Sequence, residues 1–262
     1  MTEPYVKQHI QAAIATIEFS HPAHNSLPGD LLEKLAAAIA RAGADDRARV
    51  VVLRSGGQRT FCAGASFDEL AAIAESGNAE HGARFFSGFA ALINTMRQCP
   101  KFIIARVQGR AVGGGVGLVA AADYALASRH AAVKLSELNI GLGPFVVGPA
   151  VERKMGLSAM SQLAIDADSF HDAEWARHKG LYAQVLDSPE ALDHAVQALA
   201  ERLAACNPEA MRELKQALWE DTLHWPRHLA QRAAVSGRLA LGDFTVQALA
   251  QFKRERAERR RD

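Results

Sequence analysis

Only three cysteines, Cys62, Cys99 and Cys206, occur in 262 residues. The number is odd and the spacing matches no metal site, which excludes a disulfide scaffold and points to a reducing compartment. No apolar run approaches the roughly 18 residues of a membrane span, and the opening MTEPYVKQHI lacks the apolar stretch of a secretory signal. Lys and Arg nearly cancel Asp and Glu, leaving a formal charge of +1. Nothing in that balance asks for nucleic acid or an anionic membrane. The ten histidines are scattered without ligand spacing, so no metal is assigned. Aromatic residues are scarce and alanine plentiful, as suits helices packed closely on a sheet. A soluble, cytoplasmic protein is expected, long enough for one large domain with a substantial core.

What is present is a recurring strand–loop–helix pattern. Ile10 to Phe19 alternates as a strand, and SHPAHNSLPGD then supplies turn chemistry, with Asp30 placed to cap the helix LLEKLAAAIARA. The run RVVVL (49–53) is β-branched on both faces, as in a buried parallel strand, and SGGQRTFCAGASFDEL follows as a glycine-bearing loop into a helix. The unit recurs with a helix over 83–98, the strand FIIARV (102–107), the loop QGRAVGGG and the helix GVGLVAAAD. Short strands at 124–128 and 132–135 precede the loop ELNIGLGPFVVGP and the helix VERKMGLSAMSQLAI. This predicts an α/β core with largely parallel strands over residues 1–190 and a helical region over 191–262.

In such sheets, ligands sit where strands end and loops lead into helices. The loops 54–66, 108–115 and 136–149 should therefore share one face, bringing together Ala63-Gly64-Ala65, Gly113-Gly114-Gly115 and Glu137. Small residues leave backbone N–H groups uncovered, and a helix N-terminus adds positive potential. Two N–H groups converging from different loops suit a carbonyl oxygen that gains negative charge. The stretch from Gly115 to Ala120 also fits the dinucleotide pattern GxGxxA, with Glu137 twenty residues after Gly117. Against that reading, seven residues separate Val107 from Gly115, where the pattern wants its first glycine just past the strand.

FCAGASFDEL, KFIIARVQGRAVGGGVGLVAAADYALAS and VKLSELNIGLG, in this order and spacing, resemble the enoyl-CoA hydratase/isomerase (crotonase) family. The likeness runs from HNSL to the final FKRERAERR and covers nearly the whole chain. The resemblance implies a crotonase-like spiral of ββα units with a C-terminal helical oligomerisation region that builds a homo-trimer or dimer of trimers. It also implies an acyl-CoA thioester as substrate, so coenzyme A arrives with the substrate and no separate cofactor is expected. It places Ala65 and Gly114 as the oxyanion amides and Glu137 as the catalytic acid/base. Ser26, Ala63, Gly113, Phe252 and Lys253 fall at positions that meet the coenzyme A part.

Two departures shape the expected reaction. Hydratases of the family carry two glutamates around a water; Glu137 matches the second, but the position of the first holds Gly117. The loop GLGPFVVGP is bulkier than usual at Phe145, Val146 and Val147, which bears on the acyl pocket and on the placement of Glu137. One carboxylate suffices to move a double bond from the 3-enoyl to the 2-enoyl position, so isomerisation is favoured. Hydration by a single glutamate and a non-catalytic thioester binder are the alternatives. The basic cluster KRERAERRR is broken by glutamates and lacks interleaved aromatics, so nucleic acid is not expected.

Overall fold

The computed structural model describes residues 3–258. Strands β1 (Tyr5–Gln11) and β2 (Ile14–Ser20) form an antiparallel hairpin. Its two-residue turn, Ala12-Ala13, has both φ angles positive, at 49° and 60°. That turn divides the alternating run 10–19, which periodicity alone reads as one strand, because alternation continues through a tight turn. Helix α1 (Gly29–Ala44) follows. Its N-cap is Pro28, not Asp30, and Asp30 instead pairs with Lys34 one turn on. The exposed N–H of Gly29 is satisfied from elsewhere, donating to Glu69 Oε2 at 2.7 Å.

Three strand pairs then alternate with helices. They are β3 (Val50–Ser55) with β4 (Thr60–Cys62), β5 (Ile103–Val107) with β6 (Arg110–Val112), and β7 (Tyr124–Ser128) with β8 (Ala132–Lys134). Helices α2 (Phe67–Ser76) and α3 (Ala79–Gln98) follow the first pair, and α4 (Gly114–Ala121) follows the second. After the third come a 3-10 turn (Glu137–Ile140) and α5 (Gly148–Ile165), which is kinked at Gly156. The spiral ends with β9 (His171–Asp172), α6 (Ala173–His178) and β10 (Gln184–Leu186).

The longer strand of each pair joins a six-stranded sheet of order β1-β2-β3-β5-β7-β10, parallel apart from the first hairpin. The three-residue strands build a second sheet, β4-β6-β8-β9, in which β4, β6 and β8 run parallel. Of this second sheet, β4 and β6 lie inside segments that look like loops in the sequence, while β8 falls on the short strand expected at 132–135. Three residues are too few to show alternation, and each strand is held by its neighbours rather than by its own pattern.

One face of the large sheet carries the main core, with Phe19, Phe61 and Leu53 packed under α1 and α3. The other face, Val50, Val52, Ile104 and Leu126, is covered by Leu192, Val196 and Ala200 of α7 (Pro189–Ala204). Helices α8 (Pro208–Leu218), α9 (Trp225–Ala240) and α10 (Asp243–Glu258) follow, α9 packing on α3 and α10 on α2. Buried Arg106 of β5 fastens α7 through two bonds to Asp193, at 2.5 and 3.0 Å. Among the described residues, no helix is long and apolar enough to cross a membrane.

Candidate active site

Because β4, β6 and β8 are parallel neighbours, the segments leaving them emerge at one edge of the small sheet. They are Ala63–Ala65, Gly113–Gly114 and Ser136–Glu137, and all three line one cavity of about 690 Å³. Aliphatic and aromatic side chains make up most of its interior, among them Leu70, Phe86, Phe89, Phe145 and Val147.

Backbone approaches closer than any side chain would permit bring the first two loops together. A Cβ on Gly64, whose φ is +81°, would stand 2.7 Å from Val112 O and 3.0 Å from Gly114 N. One on Gly115 would stand 2.4 Å from Cys62 O, and one on Gly114 2.4 Å from Phe89 Cε1. The glycine triplet therefore lets the N-terminus of α4 press against the end of β4. The Gly115 and Gly117 of the dinucleotide-like pattern face Cys62 and Val147 and do not line the cavity.

The Ala65 strand edge is held from the other side by residues 21–28. Leu27 N donates to Gly64 O at 2.7 Å and Ser66 N to Leu27 O at 3.2 Å, so the intervening Ala65 N–H points away from that pairing. Gly114 is the first residue of α4, and Gly113 N donates to Lys134 O at 2.8 Å. Among the described residues, neither Ala65 N–H nor Gly114 N–H donates to a protein acceptor. Two adjacent, unengaged N–H groups, one at a helix start, give the site a preformed demand for a negative oxygen.

Glu137 begins the 3-10 turn, and its carboxylate lies on Gly113. A Cβ there would be 2.9 Å from Oε1, and the φ of +51° also favours glycine. The residue is partly exposed as a whole, but its carboxylate end is enclosed, and Oε2 has no hydrogen-bond partner. Burial pushes the carboxyl up to about 7, with the residue's own backbone N–H offsetting a little of the rise. A carboxyl that exchanges its proton near neutral pH, next to two free amides, can act as base and then as acid.

Of the other residues singled out in the sequence, Ser26, Ala63, Gly113 and Phe252 line the same cavity. Phe252, on α10, lies against Phe67 of α2 with ring centroids 4.7 Å apart. Lys253 does not line the cavity; its ammonium pairs with Glu75 Oε1 at 2.9 Å on the exposed side of the same helix. Residues 259–261 of the basic cluster lie outside the described residues. Cys62 is buried, its thiol pushed up to about 12 by burial, and so is poorly suited to nucleophilic work.

Sequence reading missed the residues that stiffen the site. Asn25 is buried in the left-handed conformation, and its amide donates to Gly56 O at 2.8 Å and Thr60 O at 2.9 Å. Gln108 bonds Ser55 Oγ at 2.9 Å and Thr60 O at 3.2 Å. The HNS turn offers a weak local signal for Asn25, since Asn tolerates that conformation. Gln108 offers none.

Residues 9–241 match the enoyl-CoA hydratase/isomerase family, and the chain belongs to that family. It is 27% identical over 226 residues to the peroxisomal Delta(3,5)-Delta(2,4)-dienoyl-CoA isomerase of Arabidopsis thaliana, covering 81% of this chain and 80% of that protein. It is 32% identical over 198 residues to human mitochondrial methylglutaconyl-CoA hydratase, covering 74% of this chain but 57% of that protein. An enoyl-CoA hydratase structure from Mycobacterium avium superposes with a TM-score of 0.82 at 26% identity, covering 95% and 96% of the two chains. One from Bacillus halodurans gives 0.88 at 20% identity, covering 94% and 99%, which bears on the fold alone. The crotonase fold and the enzyme family are thereby established, while the relatives include isomerases and hydratases alike.

Proposed function

We propose that this enzyme isomerises acyl-CoA thioesters, converting a 3-enoyl to a 2-enoyl group by moving one proton. The observation that carries the reading is the enclosed carboxylate of Glu137 seated on Gly113, directly beside the free amide of Gly114. In this reading the thioester oxygen accepts hydrogen bonds from Ala65 and Gly114 N–H. Glu137 removes a proton from C2, the electron pair delocalises onto that oxygen and along the double bond, and the same carboxyl returns the proton at C4. Atoms and charge balance with no water consumed. Losing one such amide donor typically costs about 2.7–4 kcal/mol of transition-state stabilisation.

The coenzyme A part would run past Ser26 and Ala63 towards Phe252. Lys253 can reach a phosphate by giving up an exposed ion pair, which is worth little in water. The exposed side chains of Leu157, Ile165 and Leu223 supply apolar surface for the trimeric assembly that the family resemblance suggests.

The deciding experiment mixes the protein with 3-hexenoyl-CoA and follows conjugated-thioester absorbance and product mass together. Rising absorbance at unchanged mass is expected. Added water would assign the site to hydration, and bound but unconverted thioester would make the protein a binder.

A further inference from the structure

The structure assigns Val147 as the residue that sets reaction specificity, by filling the space beside Glu137 that a side chain at position 117 would occupy. The assignment deepens the isomerase reading and rests on it for its catalytic meaning. Its steric basis is independent. A Cβ built on Gly117 would lie 2.5 Å from Val147 Cγ1 and 2.6 Å from Val147 Cβ, well inside any contact that real side chains make. Val147 is 4% exposed, and it lines the cavity while Gly117 does not.

The two glycines under these side chains are linked. Gly117 N donates to Gly113 O at 3.2 Å, so they lie one helical turn apart at the start of α4. Gly113 is the N-cap and Gly117 lies in the first turn, so their backbones stack along the helix roughly 6 Å apart. The Glu137 carboxylate rests on the first glycine and the Val147 isopropyl group on the second. Glu137 and Val147 both line the cavity, so where a second polar group could hold and aim a water its wall presents an apolar isopropyl group. The loop carrying them is tied down: Gly148 N donates to Pro144 O at 2.6 Å, and Ala150 N and Val151 N both donate to Val147 O at 3.1 Å. Val147 therefore cannot swing aside without unwinding the first turn of α5.

A glutamate cannot simply be restored at position 117, because the methyl groups stand in its way. The glycine and the valine form one steric unit whose effect is to keep water from the enolate while leaving Glu137 free to shuttle its proton.

The test is a double-mutant cycle of G117A and V147G on the full chain, read by melting temperature. On the same variants and on G117E/V147G, isomerisation of 3-hexenoyl-CoA and hydration of 2-butenoyl-CoA are measured. G117A is expected to lower the melting temperature by several degrees in the parent and by less than half as much beside V147G. V147G is expected to raise the ratio of hydration to isomerisation by about tenfold, and G117E/V147G to hydrate at least about tenfold faster than G117E alone. An equal temperature loss in both backgrounds, or hydration by G117E matching the double variant, overturns the assignment. A parent protein that isomerises nothing defeats the isomerase reading only; the thermal cycle and the gain of hydration in G117E/V147G still judge Val147.

Discussion

A carboxyl raised to about 7 by burial titrates where the enzyme would work, so replacing Glu137 with Gln separates two effects. Turnover of a 3-enoyl thioester should fall by roughly 10²–10⁴ with thioester binding largely kept, as isothermal titration beside a rate assay would show. In the parent enzyme the rate should decline as pH drops below about 7, because the base must be ionised to accept the first proton. Stability should move the opposite way. Folding raises this carboxyl from 4.5 to about 7, so the folded chain holds a proton that the unfolded chain has released in that window. Stability then falls as pH rises through the window, and above it the cost is about 2–4 kcal/mol. E137Q escapes that cost. It should melt above the parent at pH 8, with the gap closing towards pH 4.5; a gap independent of pH would mean that the carboxylate is solvated. That the loops carrying Ala65, Gly114 and Glu137 line one cavity was legible in the sequence because they follow strand ends, whereas the choice of those residues within the loops came from the family resemblance. The contact of Val147 with Gly117 was not, since two residues thirty positions apart leave no local pattern.

At the scale of elements, α8 is fixed by one buried carboxylate. Asp123, between α4 and β7, accepts from Ile103 N at 2.7 Å, Lys215 Nζ at 2.8 Å and Trp219 Nε1 at 2.8 Å. The Lys215 ammonium also donates to Met96 O at 3.0 Å and Lys101 O at 2.9 Å. Its side chain is 2% exposed, so this pair escapes the screening that weakens surface bridges. Lys215→Met strands the carboxylate and two carbonyls, and should cost about 3–5 kcal/mol in urea unfolding. A loss under about 1 kcal/mol would mean that water replaces the ammonium. Helix α8 falls in the region expected to be helical, and Asn207 caps it, accepting from Glu209 N at 2.9 Å. That its lysine points inward breaks the usual rule for charged residues and could not be read from periodicity. Two strands of the small sheet escaped for a related reason: β4 and β6 exist because neighbours pair with them, and their own sequences state no preference.

For the whole molecule, the chain folds back so that α10 borders the cavity that the earlier loops create, and Phe252 meets Phe67 across its rim. Phe252→Ala removes that wall without touching Glu137 or the two amides. It should raise KM for a coenzyme A thioester by about fivefold to tenfold while kcat stays within about twofold. A fall in kcat at unchanged KM would place Phe252 in the chemistry instead. The fully buried α4 carries a different consequence. Seen by deuterium labelling, most of its amides are locked in hydrogen bonds beneath the protein, yet Gly114 N–H, at its first residue, opens only into the cavity. A segment slow to exchange should thus carry one fast site at its very start. A thioester ligand should slow that site together with Ala65 N–H and leave the bonded amides of α4 unchanged, turning a glycine amide into a reporter of occupancy.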